Sequence, residues 1–349
     1  MTFTNTQLIY ARTPAPTIIP DLSNGTFTLK TEQISETIPD DKVIVRVHHL
    51  SLDPAMRHWL TAQRSYIEPV QLGEVMRCQA SAQIIAVGRG LKDRFKKGDW
   101  IIAMTGCQEY ALLTAEEIQF RNAILPGSRP SDSLSILGDT LLTAYFGIIE
   151  VSKVKRGDTV VISGAAGATG IMAGQIAKLK GAKVIGIAGS QEKCEFLVNE
   201  LGLDAAINYK DQDWAEKLKA AVLPGYIDVY FDNVGGEVLD NCLRLAARNS
   251  RFTICGNISQ YNAEKPRGPS NIIQTQRITM KGFIVFDYIP QFSKALEELR
   301  QWLQEGRIQR KEYIISGGLK AVPQGLVGLF AGVNTGKMMV EVASQSEAI

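Results

Sequence analysis

The sequence predicts an α/β protein in which a mostly β N-terminal part precedes a doubly wound parallel sheet. Three observations carry this. The β-branched run 160–162 enters a small-residue turn at 163–170, and the turn opens directly into an amphipathic segment. Strand-like and helix-like segments then alternate toward the C-terminus, as repeated β-α-β units do. Finally, 349 residues exceed one small domain and suit two, each able to bury its own core.

Within the first 135 or so residues, 43–47 alternates as a strand, 82–87 reads as a second and 100–104 as a third. Glycine and proline punctuate the stretches between them, and Lys97-Gly98-Asp99 is a turn signal feeding the third strand. The basic run 92–97 reads as a solvated loop. The texture changes near Leu137. A helix over 171–180, with Met172, Ile176 and Leu179 on one face, ends at Gly181 and leads to a strand over 183–188. Further strands are expected at 205–209, 227–232, 251–255 and 280–285, with helices at 214–222 and 238–247 between them. A helix over 291–303 carries the apolar face Phe292, Ala295, Leu296, Leu299 and Trp302, and 337–342 is again strand-like.

The turn has the pattern A-x-G-x-x-G, with Ala165 where the usual dinucleotide fingerprint has its first glycine. Gly167 lets backbone approach a pyrophosphate, Gly170 lets the helix pack closely, and the first helical amides face the phosphates, with Ala168 and Thr169 of the loop among the cofactor-binding residues. The other reading of these residues is a structural tight turn. An NAD enzyme usually places Asp or Glu at the end of the second strand to hold the ribose hydroxyls. Here Gly189-Ser190 occupy that place and Lys193 follows within a turn, so a 2′-phosphate meets a hydroxyl and an ammonium instead of a carboxylate. NADPH is the expected cofactor; an N-cap serine followed by a surface lysine is the plainer alternative.

The formal net charge of +2 gives no electrostatic case for nucleic acid or a membrane surface. No apolar run is long enough to span a bilayer, no signal segment opens the chain, and the C-terminal tetrapeptide 346–349 is not a peroxisomal signal, so a cytoplasmic address is expected. The five cysteines, Cys78, Cys107, Cys194, Cys242 and Cys255, are far apart and form no Cys-x-x-Cys pair. A strand would send the neighbouring His48 and His49 to opposite faces, and two histidines without a nearby cysteine or carboxylate cluster make a poor metal site, so no catalytic metal is expected.

Taken together, 50–57 (LSLDPAMR), 141–147 (LLTAYFG), the loop Ala165 to Gly170, Ala188-Gly189-Ser190 with Lys193, Asn208-Tyr209-Lys210, 232–236 (DNVGG), 256–262 (GNISQYN) and 334–337 (NTGK) make the chain similar to the medium-chain dehydrogenase/reductase superfamily. More narrowly, it resembles the zinc-independent NADPH-dependent alkenal, or alkene double-bond, reductases, the group that includes leukotriene B4 dehydrogenase/prostaglandin reductase. The segments span almost the whole chain in the family's order. The resemblance implies a GroES-like β domain over 1–137, a Rossmann NADPH-binding domain over 138–308, and a return segment over 309–349 that completes the first domain, with the active site in the cleft between the two. It implies contacts of Lys193 and Tyr209 with the adenosine 2′-phosphate, Ser190 nearby, Asn233 within the cofactor-facing motif, Asn334 near the nicotinamide and Tyr261 near ribose and substrate. Zinc-dependent relatives carry a Gly-His-Glu element and a lobe of four close cysteines, and this chain has neither. A homodimer is the family expectation, with 280–285 as an edge strand that pairing would cover.

The implied reaction is reduction of an α,β-unsaturated aldehyde or ketone by hydride delivery to the β-carbon, with negative charge developing on the carbonyl oxygen. Without a metal that oxygen needs a hydrogen-bond donor, and Tyr261, just past a carboxyl end of the sheet, is a fitting one; packing on the cofactor is its alternative role. Tyr145 is a weaker candidate, in a helix-like stretch and weighted toward packing; Asp53 and Arg57 are another option near the expected cleft, weighted still more toward starting and anchoring a turn or helix. Two departures from the family touch the substrate side. Ala55 stands where many relatives have tyrosine, and 73–80 (GEVMRCQA) is less glycine-rich. Quinone reduction, alcohol oxidation through NADP and non-catalytic NADPH binding are the competing readings.

Overall fold

Apolar, β-branched strands separated by helices set the architecture of the central part of the chain. The computed structural model describes residues 2–35, 37–62, 65–122, 129–262 and 276–344; the C-terminal tetrapeptide 346–349 lies outside them. The chain divides into two units, Met1–Leu134 with Glu312–Ile349, and Ser135–Lys311.

In the first unit β1 (Thr2–Tyr10) and β2 (Phe27–Ser35) form an antiparallel pair. A mixed sheet contains β3 (Lys42–Ser51), β4 (Ala80–Val87), β5 (Trp100–Ala103), β6 (Tyr110–Thr114) and β7 (Ile118–Asn122). The later segment adds β14 (Glu312–Ile315) and β15 (Lys337–Glu341), giving the order β14-β15-β3-β4-β5-β7 with β6 also on β3. β3 is central, so its residues are buried on both faces. That is why His48 and His49, although on opposite faces, are both buried. Leu8, Phe27, Val45, Val47, Ile84 and Val340 belong to the core of this unit. A 3₁₀ helix, Pro54–Leu60, follows β3 directly.

The second unit is an α/β layer structure. Its strands β8 (Thr159–Ser163), β9 (Lys183–Ala188), β10 (Ala205–Asn208), β11 (Ile227–Asp232), β12 (Ala246–Ile254) and β13 (Thr279–Gly282) are all parallel, in the order β10-β9-β8-β11-β12-β13. Helices α1 (Asp139–Phe146), α2 (Ala168–Leu179), α3 (Gln191–Glu195), α4 (Trp214–Val222), α5 (Gly236–Arg244) and α6 (Phe292–Gln304) accompany it. Val161, Ile185, Ile187, Tyr230 and Phe252 from the sheet pack with Leu218 of α4 and Val238 of α5. Winding runs outward from β8 in one direction and from β11 in the other, so the switch point lies between their carboxyl ends, where this topology binds ligands.

Several boundaries differ from the sequence reading. α2 begins at Ala168 rather than 171, so Thr169 and Gly170 belong to its first turn. α5 stops at Arg244 and β12 starts at Ala246, three to five residues before the expected positions. β13 ends at Gly282 instead of 285, because Val285–Gln291, which contains Pro290, closes into a 3₁₀ helix. Among the described residues no helix is long and apolar enough to cross a membrane.

Candidate functional site

The turn after β8 is built by contacts that leave room for few side chains. Gly164 has a φ of +58°, and Gly167 N–H donates to the Gly164 carbonyl at 2.9 Å. A Cβ at Gly170 would lie 2.3 Å from the Gly164 oxygen and 2.7 Å from Ala165 Cα, so the first turn of α2 rests on the loop. Ala165 is fully buried, and its methyl packs over Gly186 of β9, where an added Cβ would come within 3.0 Å of it. The missing first glycine is therefore matched by a glycine on the neighbouring strand. Gly167 caps α2 with extended backbone and no side-chain cap, which leaves the helix's first amides to a ligand or solvent.

A second corner forms at the ends of β9 and β10. Tyr209 N–H donates to Ala188 O at 3.0 Å, and the Tyr209 ring lies over Gly189, where a Cβ would come within 3.1 Å of it. Ser190 is the N-cap of α3, accepting from Lys193 N–H at 3.3 Å; its own proton is left to donate. Both the N-cap and the phosphate-side readings of Ser190 are thus compatible with one geometry. Burial lowers the Lys193 pKa, and the charge of nearby Lys210 lowers it further. Two ammoniums in proximity repel, and a phosphate dianion offsets that repulsion. Glu192 is exposed, and no carboxylate occupies positions 189 and 190.

Asn233, at the end of β11, is held by Ser163: its N–H donates to Ser163 Oγ at 2.9 Å and its Nδ2 to Ser163 O at 2.7 Å. Beyond β12 the 3₁₀ turn Ile258–Gln260 ends at Tyr261, whose oxygen accepts from Asn257 N–H at 3.4 Å. The loop Ala165–Gly170, Gly189, Ser190, Lys193, Tyr209, Asn233 and Tyr261 all lie at the carboxyl edge of this one sheet. Asn334 belongs to the other unit, where it is buried and donates from Nδ2 to Gly336 O at 2.7 Å.

The first unit also shows what Asp53 does. Its carboxylate does not cap the 3₁₀ helix Pro54–Leu60; it accepts from Ser51 Oγ and pairs with Lys337 Nζ, a lysine only 3% exposed. Arg57 donates to Pro16 O at 2.5 Å and anchors that helix, as its sequence context suggests. Tyr145 donates to Glu298 at 2.6 Å and stands edge-on to Phe146, with its pKa pushed up by burial and then by Glu298, which is a packing role. Among the described residues no three His, Cys, Asp or Glu side chains gather as a metal-binding group.

Both parts of the chain match families of known oxidoreductases. The family model "zinc-binding dehydrogenase" covers residues 168–301, and "N-terminal domain of oxidoreductase" covers 15–120. The chain is 38% identical to the NADP-dependent 2-alkenal reductase of Nicotiana tabacum, over 93% of both chains. It is 34% identical to the NADPH-dependent curcumin reductase of Escherichia coli (strain K12), over 97% of both. The chain belongs to the medium-chain dehydrogenases/reductases, in their zinc-independent NADPH-dependent alkenal reductase group. A crystal structure of CurA in complex with NADPH from Vibrio vulnificus has a TM-score of 0.87 and 37% identity, covering 97% of this chain and 99% of that one.

Within that family the cofactor fits the residues present. The close approach of Gly170 to its loop, the start of α2 without a side-chain cap, and the Lys193 and Lys210 charges, with the Tyr209 ring over Gly189, suit a pyrophosphate and a 2′-phosphate. The sequence reading missed the Lys337–Asp53 pair, whose members are 284 residues apart, and the carboxylate Asp232 beneath Asn233. Lys210 was quoted only as part of a motif, yet its charge reaches Lys193.

Proposed function

We propose that this protein reduces the C=C bond of α,β-unsaturated aldehydes and ketones with NADPH. What supports this is the corner at Gly189, Lys193 and Tyr209, which suits a 2′-phosphate, in a chain homologous over most of its length with reductases of alkenals and curcumin. When bound, NADPH supplies the hydride for the β-carbon. Ala165, Gly167, Ala168, Thr169 and Gly170 seat the pyrophosphate on backbone amides, while Lys193, Tyr209 and Ser190 at the end of β9, beside Gly189, hold the phosphate of the adenosine. Asn233 orients the cofactor from the switch point, and Asn334 enters this reading from the resemblance alone.

Tyr261 donates its phenolic hydrogen bond to the carbonyl oxygen as charge builds there. Accepting from Asn257 N–H strengthens the phenol as a donor. The absence from the sequence of the Gly-His-Glu element and four-cysteine lobe supports stabilisation of that oxygen without a metal. Segments 1–137 and 309–349 act as the substrate-side domain and 138–308 as the NADPH domain. We also place the protein in the cytoplasm as a homodimer. Support for the dimer comes from the edge strand β13, largely exposed, and the exposed Phe286 and Ile289 that follow it.

The test follows NADPH absorbance with an enal, an enone and a quinone at matched concentration. Turnover of the enal or enone, slow with NADH, supports the proposal. Turnover of the quinone alone replaces it with quinone reduction, and tight NADPH binding without any turnover replaces it with a non-catalytic role.

A further inference from the structure

The carboxylate of Asp232 is fully buried at the carboxyl end of β11, and four donors converge on a single one of its oxygens. Oδ1 accepts from Ser163 Oγ at 2.9 Å, Tyr230 Oη at 2.9 Å, Val234 N–H at 3.0 Å and Gly235 N–H at 2.9 Å. Its main-chain oxygen accepts from Cys255 and Gly256 at 2.9 and 3.0 Å. One residue thus ties together the chain ends that leave β8, β11 and β12. The ties continue outward. Ile258 N–H donates to Asn233 O at 3.1 Å, Ser259 N–H to Val234 O at 3.1 Å, and Ser259 Oγ to the same oxygen at 2.6 Å, which fixes the turn that carries Tyr261.

Oδ2, by contrast, is buried with no hydrogen-bond partner among the described residues. Burial pushes the carboxyl pKa up, against the four donors. A desolvated carboxylate oxygen without a partner costs stability, and the four donors on the other oxygen offset that cost. Such a cost is expected where a group positions a functional site.

We infer that Asp232, acting with Ser163, is a positioning residue that preorganises the nicotinamide half of the NADPH site and the Tyr261 turn. The two halves of this fold divide the dinucleotide at the switch point. The Lys193–Tyr209 corner lies on the β9–β10 side and takes the adenosine 2′-phosphate, so the half of the cofactor that crosses to β11 and β12 meets loops held by Asp232. Among the described residues none of the side-chain hydrogen bonds of Asp232 reaches the β9–β10 corner, although Ser163 is paired with Ile187 of β9 in the sheet. The inference rests on the NADPH site alone, and its test is read by binding, so it stands or falls separately from the identity of the acceptor.

The experiment measures NADPH affinity by fluorescence and adenosine 2′-phosphate affinity by ligand-observed NMR for Asp232→Ala, Asp232→Asn and Ser163→Ala. Asp232→Ala is expected to weaken NADPH by about tenfold or more, and Ser163→Ala by about fivefold, each leaving adenosine 2′-phosphate within about twofold. Asp232→Asn, whose carbonyl oxygen can accept the same four bonds, should restore NADPH to within about threefold of the parent. If Asp232→Ala does not fold, Ser163→Ala decides alone. Wild-type NADPH affinity in the folded alanine variants overturns the inference. So does a parallel loss of both ligands, which is what a merely structural role produces.

Discussion

Replacing Lys193 with alanine removes one of the two ammoniums at the corner proposed to hold the 2′-phosphate and leaves Lys210 in place. Two unit charges 4 Å apart attract by about 1 kcal/mol in bulk water and about 4 kcal/mol at an effective dielectric of 20. Lys193 is half-buried, between those limits, and must shed water to bind. A charge-assisted hydrogen bond then contributes about 1.5–3 kcal/mol net, or roughly 10- to 150-fold in affinity. Because burial and the repulsion of Lys210 already disfavour the charged form of Lys193, and Lys210 remains in the variant, the lower part of that range applies. We expect Lys193→Ala to raise KM for NADPH about 10- to 50-fold, with kcat and KM for NADH within about twofold, since NADH lacks the phosphate. Steady-state kinetics with both nucleotides on one enone is the assay. Proton linkage offers a second reading. Phosphate binding raises the Lys193 pKa above its lowered value in the free protein, so parent NADPH affinity falls as pH rises through that lowered pKa, and the variant loses this component. An NADPH KM unchanged within twofold, or an equal rise for NADH, would refute the assignment of the corner to the 2′-phosphate.

Four further outcomes are expected. Tyr261→Phe should lower kcat about a hundredfold, equivalent to about 3 kcal/mol of barrier, with KM for NADPH within about threefold; a twofold loss in kcat would leave the ring as packing only. Gly170→Ala places a Cβ 2.3 Å from backbone, so both the melting temperature and NADPH affinity should drop in calorimetry, and an unaltered protein would contradict the close approach of α2 to its loop. Asp53→Asn leaves a buried ammonium at Lys337 and should cost about 3 kcal/mol in denaturant titration, more than Lys337→Met, which leaves a partly exposed carboxylate; the reverse order would contradict the burial argument. His48 packs against Trp100, and burial, followed by the charges of Arg46 and His49, lowers its pKa from 6.5 to about 4. Its unfolded form therefore binds a proton first, so stability is full above pH 6.5 and declines from there down to pH 4, by at most about 3 kcal/mol, a slope that His48→Gln should flatten in urea titrations.

The Rossmann half was legible because its strands are buried on both faces and read as unbroken β-branched runs, and because a glycine-rich turn links one of them to a helix. The start of α2 was misplaced by three residues for the same reason that it functions. Ala168, Thr169 and Gly170 carry no apolar periodicity, since small residues there admit the loop and a ligand. The end of β13 was missed because Phe283 and Ile284 continue the apolar pattern, while Pro290 helps commit the following turn to 3₁₀ geometry. β1 and β2 went unread because their pattern does not alternate: Asn5, Thr6 and Gln7 run together before Leu8, Ile9 and Tyr10, and the polar run 30–33 interrupts β2. In the site, Lys193 and Tyr209 needed only a phosphate partner and a place at a strand end. Asp232 stood only as the end of a strand and the start of the 232–236 motif, because its four donors come together only in the fold. Lys337 stood in the sequence only as part of a strand and of the 334–337 motif, and its pairing with Asp53 needs β15 beside β3.

The central claim is hydride transfer to the β-carbon of an activated alkene. It is tested most directly with NADPH carrying deuterium at the transferred position of C4, an enone as acceptor, and mass and NMR analysis of the product. The account predicts a saturated ketone with one deuterium on the β-carbon, formed at the rate of NADPH loss. An allylic alcohol with deuterium on the carbonyl carbon, or oxidation of NADPH with the enone recovered intact, would contradict it.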